Sequence, residues 1–116
     1  MRKTSTAMQA AVVTMLVAKR PALDKLPVRW GLREDGTIGV EQEFGTTLAE
    51  VAEIAAELAR AMRGARSETY DGVFSDGRAY RAFDVTAQPS GVRVSFHGQV
   101  VLDSGSTEAS AGGESA

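Results

Sequence analysis

The sequence predicts a single small α+β domain with the element order α-β-β-α-β-β-β, a mainly antiparallel sheet and two helices packed on one of its faces. Three observations support this prediction. Residues 46–63 form an amphipathic helical pattern, strand-like alternation lies on both sides of it, and Asp-Gly pairs at 35–36 and 76–77 mark turns. We expect the domain to comprise residues 1–103, and residues 104–116 to form a flexible acidic tail rich in Ser, Gly and Ala.

Length and composition restrict the class of protein. A chain of 116 residues with 43% hydrophobic content can build one modest core, and without cysteine it forms neither disulfides nor thiolate metal sites. The single histidine excludes a multi-histidine site, so we expect neither a metal nor a cofactor. The longest apolar-rich run, residues 7–18, is too short to span a bilayer, and we expect no membrane contact.

Charge is distributed unevenly along the chain. The net charge is −2, but residues 1–33 carry seven basic groups against Asp24 alone, which gives +6 there and −8 over residues 34–116. The basic part could attract a polyanion, or the two parts could attract each other within one fold or across a dimer. The overall acidity weighs against a dedicated nucleic-acid-binding protein.

The pattern at 46–63 predicts the central helix. Apolar residues at steps of three and four form one stripe: Leu48, Val51, Ala55, Leu58 and Met62. The polar residues on the opposite side of the helix are Glu50, Glu53, Glu57 and Arg60. Thr47 and Glu50 have the spacing of a capping box, and Gly64 follows as a stop. The apolar stripe is therefore expected to pack on the sheet.

A first helix is predicted from about Ser5 to Lys19. Its apolar side consists of Met8, Val12, Met15 and Leu16, and Pro21 ends it. It lacks the aromatic anchor and the basic polar face of a membrane-surface helix. Packing against the core is therefore the favoured interpretation.

Alternating apolar residues on both sides of a turn at 34–36 predict a β-hairpin. A three-residue loop with Gly36 in a left-handed conformation sets Leu32 beside Ile38. The same register places Trp30 beside Val40, so both pairs are apolar and Trp30 is expected in the core.

Three further strands are predicted at 69–74, 78–87 and 91–102. A four-residue turn between the last two would oppose Val85 to Val94 and Phe83 to Phe96. In that register His97 lies opposite Ala82 and diagonal to Asp84.

The sheet face away from the helices is expected to be polar. The predicted binding residues on it are Arg29, Arg33, Tyr80, Arg93, His97 and Gln99. Such a face can be exposed to solvent, form a homodimer or bind a partner.

The same face carries the candidates for catalysis. His97, Asp84 and Ser95 are the residue types of a nucleophilic site, with His97 as the general base. Catalysis also needs an oxyanion hole and a pocket, and the sequence gives no sign of either. We therefore predict no enzymatic activity and assign no catalytic residue.

Two segments carry a resemblance. Residues 26–40 contain a Trp-x-x-x-x-Asp-Gly hairpin, and residues 91–102 begin with a Gly-Val-x-Val strand. Over about residues 20–102 the chain resembles small uncharacterised α+β proteins of actinomycetes, their phages and mobile elements. The resemblance implies a cytoplasmic accessory protein and supplies no catalytic residues.

The leading hypothesis is a non-enzymatic protein-interaction module that forms a homodimer through its polar sheet face or an edge strand, with a further protein partner possible. One alternative is a nucleic-acid accessory protein that uses the basic N-terminal third and binds in a salt-sensitive manner. The other is a small ligand-binding or hydrolytic enzyme around His97.

Overall fold

A computed structural model describes residues 5–102 and confirms the predicted fold class. The elements are α1 (Thr6–Lys19), β1 (Val28–Leu32), β2 (Ile38–Gln42), α2 (Leu48–Ala61), β3 (Arg66–Val73), β4 (Ala79–Ala87) and β5 (Val94–Leu102), with short 3-10 turns at Pro21–Asp24 and Pro89–Gly91. The tail predicted at 104–116 lies outside the described residues. Neither helix within residues 5–102 is long and apolar enough to cross a membrane.

The five strands form one sheet in the order β1-β2-β5-β4-β3. Only β2 and β5 run parallel, because the chain returns to the middle of the sheet after α2, β3 and β4. Helix α2 packs over β4 and β5, and α1 packs beside it against β1. Both helices therefore cover one face, and within residues 5–102 the other face has no helix, so we call it the helix-free face.

Helix α2 forms as its sequence predicts. Thr47 and Glu50 exchange the two hydrogen bonds of a capping box, and Gly64 takes a left-handed φ of 73° just after the helix. The apolar stripe is buried against the sheet, with Val51, Ile54 and Leu58 fully buried. Full burial of a leucine or isoleucine side chain contributes about 1.5–3 kcal/mol, so this stripe holds the two layers together.

The polar side of α2 differs from the expectation at one residue. The Glu57 side chain is only 6% exposed, because Arg20 at the end of α1 reaches across it. Nε of Arg20 lies 2.6 Å from Oε1 of Glu57, and Nη1 of Arg60 lies 3.1 Å from Oε2. The hydrogen bond from Arg20 and the two positive charges hold the pKa of Glu57 below its ordinary value.

Helix α1 buries Val12 and Leu16, but Gln9 and not Met8 is buried beside them. The Gln9 amide donates hydrogen bonds to the carbonyls of Arg33 and Thr37, at 2.9 and 2.7 Å. A polar residue is buried here because it satisfies backbone carbonyls of the β1–β2 turn. These two hydrogen bonds attach α1 to the β1–β2 hairpin.

The predicted register of the first hairpin is confirmed. Leu32 pairs with Ile38, Trp30 pairs with Val40, and Gly36 has a φ of 91°. Trp30 is half-buried at the margin of the core, so its predicted position is on the correct face but less enclosed than expected.

The predicted register of β4 with β5 is wrong by two residues. Val85 pairs with Phe96, and Phe83 pairs with Gly98. The 3-10 turn at Pro89–Gly91 lengthens the loop, and β5 begins at Val94. All side chains keep their predicted faces, but His97 now lies directly opposite Asp84.

Candidate functional site

Successive rows of side chains cross the helix-free face, because alternate residues of each strand point away from the helices. One row consists of Gly39, Ser95, Thr86 and Arg66, each paired with the next across neighbouring strands. We call it the hydroxyl row. The next row includes His97, Asp84 and Glu68, again paired in succession. The two rows place hydroxyl, basic and acidic groups on one surface.

These two rows line a concavity of about 640 Å³. Its polar residues are Arg33, Glu41, Arg66, Ser67, Glu68, Asp84, Thr86, Ser95 and His97. A volume of this size lies in the range of small-molecule sites, which is roughly 300–1,000 Å³. The concavity is the candidate functional site.

Arg33 reaches this concavity because Gly39 has no side chain. A Cβ atom at Gly39 would collide with the Arg33 guanidinium, so the guanidinium lies over β2 at that point. Glycine in a strand often marks such a close approach. The Arg33 side chain therefore extends from the end of β1 toward Ser95, the partner of Gly39 on β5.

His97 and Asp84 form the closest side-chain contact within the site. Nδ1 of His97 lies 2.5 Å from Oδ1 of Asp84. Asp84 also lies close to the Tyr70 phenol on β3, and its interaction with the phenol, together with desolvation, raises the pKa of Tyr70. One carboxylate thus links β3, β4 and β5, and it orients the imidazole so that Nε2 points away from Asp84.

Only part of a nucleophilic arrangement is present. Asp84 orients His97 as the acid of a triad would, and Ser95 precedes His97 by two residues on the same face. Within residues 5–102, however, no hydrogen bond joins Ser95 to His97. The same part of the chain has no group of three His, Cys, Asp or Glu side chains placed to hold a metal ion.

The structure distributes the predicted binding residues over the helix-free face. Arg33 and His97 meet at the concavity, and Arg29 lies beside it in an ion pair with Glu41, at 2.9 Å. That ion pair lowers the pKa of Glu41, first through its hydrogen bond and then through the charge of Arg29.

The other three predicted residues lie elsewhere. Tyr80 packs over Gly72 and against the Phe74 ring, at the opposite end of the sheet. Gln99 lies between these two ends on β5, and Arg93 is exposed immediately before that strand begins. They do not contribute to the concavity.

Five polar residues that line the concavity were not among the predicted site residues: Glu41, Arg66, Ser67, Glu68 and Thr86. Arg66 and Glu68 belong to a part of β3 whose side chains are all polar, so no apolar alternation marks the strand there. Thr86 lies in a predicted strand but carries no chemical signal alone. If the two strands that flank the turn at Asp76-Gly77 are extended by equal lengths, Arg66 pairs with Thr86. That step would have placed both residues beside the predicted site.

The structure also separates the basic groups of the N-terminal third. Arg20 pairs with Glu57, and Arg29 pairs with Glu41. Both partners belong to the acidic part of the chain, so part of the charge asymmetry is compensated within the fold. Lys19 is the last residue of α1 and Lys25 follows the 3-10 turn at Pro21–Asp24, so neither belongs to the sheet.

Comparisons with protein-family models, with curated proteins and with solved structures give no match. The resemblance to actinobacterial proteins therefore stays a prediction, and no residue role is transferred from another protein. The function has to be argued from the geometry of this chain.

Proposed function

We propose that the protein is a non-enzymatic interaction module that forms a homodimer by pairing the free edges of two β3 strands. The observation that carries this proposal is the exposure of β3. It is the last strand in the sheet order, and seven of its eight residues are exposed. A partner can therefore approach the whole length of the strand.

The backbone of β3 provides the binding groups. Along an eight-residue edge, roughly four N–H and four C=O groups point away from the sheet, and an added strand can bond to them. The other edge strand, β1, has only five residues, three of them partly buried, and α1 packs against it. Pairing is thus favoured at β3.

The side chains of β3 suit antiparallel pairing with a second copy. A two-fold axis at Thr69 would set Ser67 opposite Asp71, and Glu68 opposite Tyr70, so no like charges are directly opposed. An axis one residue earlier would oppose Glu68 to itself. The charges therefore exclude the register centred on Glu68 and allow the one centred on Thr69.

The concavity argues for this edge rather than the helix-free face as the dimer contact. Two copies related by a two-fold axis through that hollow would face each other across open space, and complementary packing is what a stable interface needs. Edge pairing leaves the concavity accessible in both copies.

The mass in solution tests the proposal. Size-exclusion chromatography with light scattering is expected to give about twice the chain mass of 12.2 kDa. Thr69→Glu would place two carboxylates together at the axis and is expected to give the monomer. Thr14→Glu makes the same change on the exposed surface of α1 and is expected to leave the dimer intact.

Two results would overturn the proposal. One is a wild-type protein that stays at 12.2 kDa as its concentration is raised. The other is a Thr69→Glu protein that keeps the dimer mass while its circular dichroism and melting temperature match the wild type.

A second candidate function rests on the contact between His97 and Asp84, which is what a hydrolytic site would need. Hydrolysis of generic ester or phosphoester substrates, lost in His97→Ala and in Ser95→Ala alike, would support it. Equal activity in all three proteins would remove it.

A further inference from the structure

The hydroxyl row carries hydrogen-bond donors from one side of the concavity to the other. Ser95 and Thr86 pair across β5 and β4, Arg66 follows Thr86 on β3, and the Arg33 guanidinium lies over Gly39 on β2. The row therefore has two hydroxyl groups at its centre and one guanidinium on each side.

The width of the row fits a small ligand. Neighbouring strands are about 4.8 Å apart, so β2 and β3, which are three spacings apart, lie roughly 14 Å from each other. Arg33 already extends inward over β2. Arginine is a long side chain, and Arg66 can bend inward over β4 from the other side. Both guanidiniums can then reach a group placed above the hydroxyls.

The charges of the two arginines are not compensated by a close partner. Within residues 5–102, Arg33 and Arg66 form no salt bridge and no side-chain hydrogen bond. Of the three carboxylates that line the concavity, Glu41 is paired with Arg29, and Asp84 contacts His97. Asp35, which also interacts with the charge of Arg33, accepts hydrogen bonds from Thr37. Glu68 alone has no close partner, so the donors of the hydroxyl row are available to an anion.

We infer that the hydroxyl row binds the phosphate group of a small molecule. A phosphate presents three acceptor oxygens, which can accept from both guanidiniums and a hydroxyl at once, whereas a carboxylate presents two. The remaining volume of the concavity accommodates the body of the ligand, and Glu68 can accept a hydrogen bond from a hydroxyl of that body. Arg66 and Glu68 reach this site through their side chains, whereas the proposed dimer pairs the backbone of β3, so the site is complete within one copy.

Titration with inorganic phosphate, followed by backbone amide NMR at constant ionic strength, tests the inference. Saturable shifts are expected at Ser95, Thr86 and Gly39. Arg33→Gln and Arg66→Gln each remove a charge-assisted hydrogen bond and are expected to weaken binding by about tenfold or more. Arg93→Gln removes the same charge from an exposed residue outside the concavity and is expected to bind as the wild type does.

Gly39→Ala tests whether binding needs the position of the Arg33 guanidinium as well as its charge. Its methyl group displaces the Arg33 guanidinium while the charge remains, so binding is expected to weaken as in Arg33→Gln. A ribose phosphate should bind more tightly than phosphate alone, and ribose without phosphate should cause no shifts.

Several outcomes would overturn the inference. These are the absence of shifts at the hydroxyl row, equal shifts with acetate at the same ionic strength, and equal affinity in the Arg33→Gln and Arg93→Gln proteins. Each would mean that the row has no selective phosphate site. Retention of the wild-type amide spectrum outside the row shows that a variant has remained folded.

Discussion

His97 and Asp84 lie directly opposite one another on β5 and β4, with Nδ1 of His97 2.5 Å from Oδ1 of Asp84. The same carboxylate also interacts with the phenol of Tyr70, which lies on β3, and raises its pKa. A single acidic residue thus connects the three strands that form one side of the helix-free face. Substitution of Asp84 should therefore change the titration of Tyr70, which lies two strands away from His97.

The first prediction concerns the pKa of Tyr70. Asp84 interacts with the phenol and carries a negative charge beside it, so it stabilises the neutral form and raises the pKa. In Asp84→Asn the charge is gone, and Tyr70 is expected to ionise at a lower pH. Absorbance titration of the phenolate measures this change.

Tyr70 and Tyr80 are the only two tyrosines, so the titration is best performed in a Tyr80→Phe background, which keeps the ring against Phe74. Glu41→Gln, made in the same background, removes a carboxylate that does not contact Tyr70 and should leave the titration unchanged. An identical Tyr70 titration with Asp and with Asn at position 84 would show that Asp84 does not act on Tyr70 in solution.

The second prediction concerns Glu57 and the pH dependence of stability. Its pKa is depressed in the folded protein by the hydrogen bond from Arg20 and by the charges of Arg20 and Arg60. A depressed pKa means that the ionised form stabilises the fold above the unfolded-state pKa. That contribution is lost as the pH falls through the folded-state pKa. Glu57→Gln should therefore be less stable than the wild type at neutral pH, and the difference should shrink in acid.

Urea denaturation over a pH series measures this difference. The matched control is Glu53→Gln, one turn earlier on α2, where the side chain is exposed and has no salt bridge within the described residues. Its stability should follow the wild type across the whole series. A constant gap between Glu57→Gln and the wild type down to the acid limit would contradict the assigned role of Glu57.

The sequence predicts those parts of the fold for which the spacing of apolar residues allows only one arrangement. The stripe on α2 and the register of the first hairpin follow from apolar spacing, because a shift of one residue would expose Trp30 and Leu32 together. The pairing of β4 with β5 cannot be obtained in this way. A shift of two residues keeps every side chain on its face, so only the 3-10 turn at Pro89–Gly91 decides the register.

The candidate site depends on the register of β4 with β5, which apolar spacing does not decide. His97 meets Asp84 only in the observed pairing, and Arg66 joins the site through a stretch of β3 that has no apolar residue to mark it. Glu57 is the corresponding case in a helix, because its burial could not be predicted from periodicity. Periodicity places it on the polar side of α2, and only the position of Arg20, which is 37 residues away in sequence, buries it.

The third prediction concerns Gln9, which is 1% exposed and donates to the carbonyls of Arg33 and Thr37. Gln9→Met has a similar volume and is more hydrophobic, so burial alone would make it stabilising. It removes one donor from each of two carbonyls, and each carbonyl keeps a backbone hydrogen bond, from Gly36 N–H to Arg33 O and from Arg33 N–H to Thr37 O. The net contribution of one hydrogen bond is about 0.5–1.5 kcal/mol, so the two lost bonds together account for about 1–3 kcal/mol. We therefore expect a loss of stability of that size in urea denaturation.

Gln88→Met, at an exposed position before the 3-10 turn, should change stability by less than about 0.5 kcal/mol. If Gln9→Met were as stable as the wild type, the two hydrogen bonds of the Gln9 amide would contribute nothing net to stability, and the attachment of α1 to the hairpin would rest on Val12 and Leu16 alone.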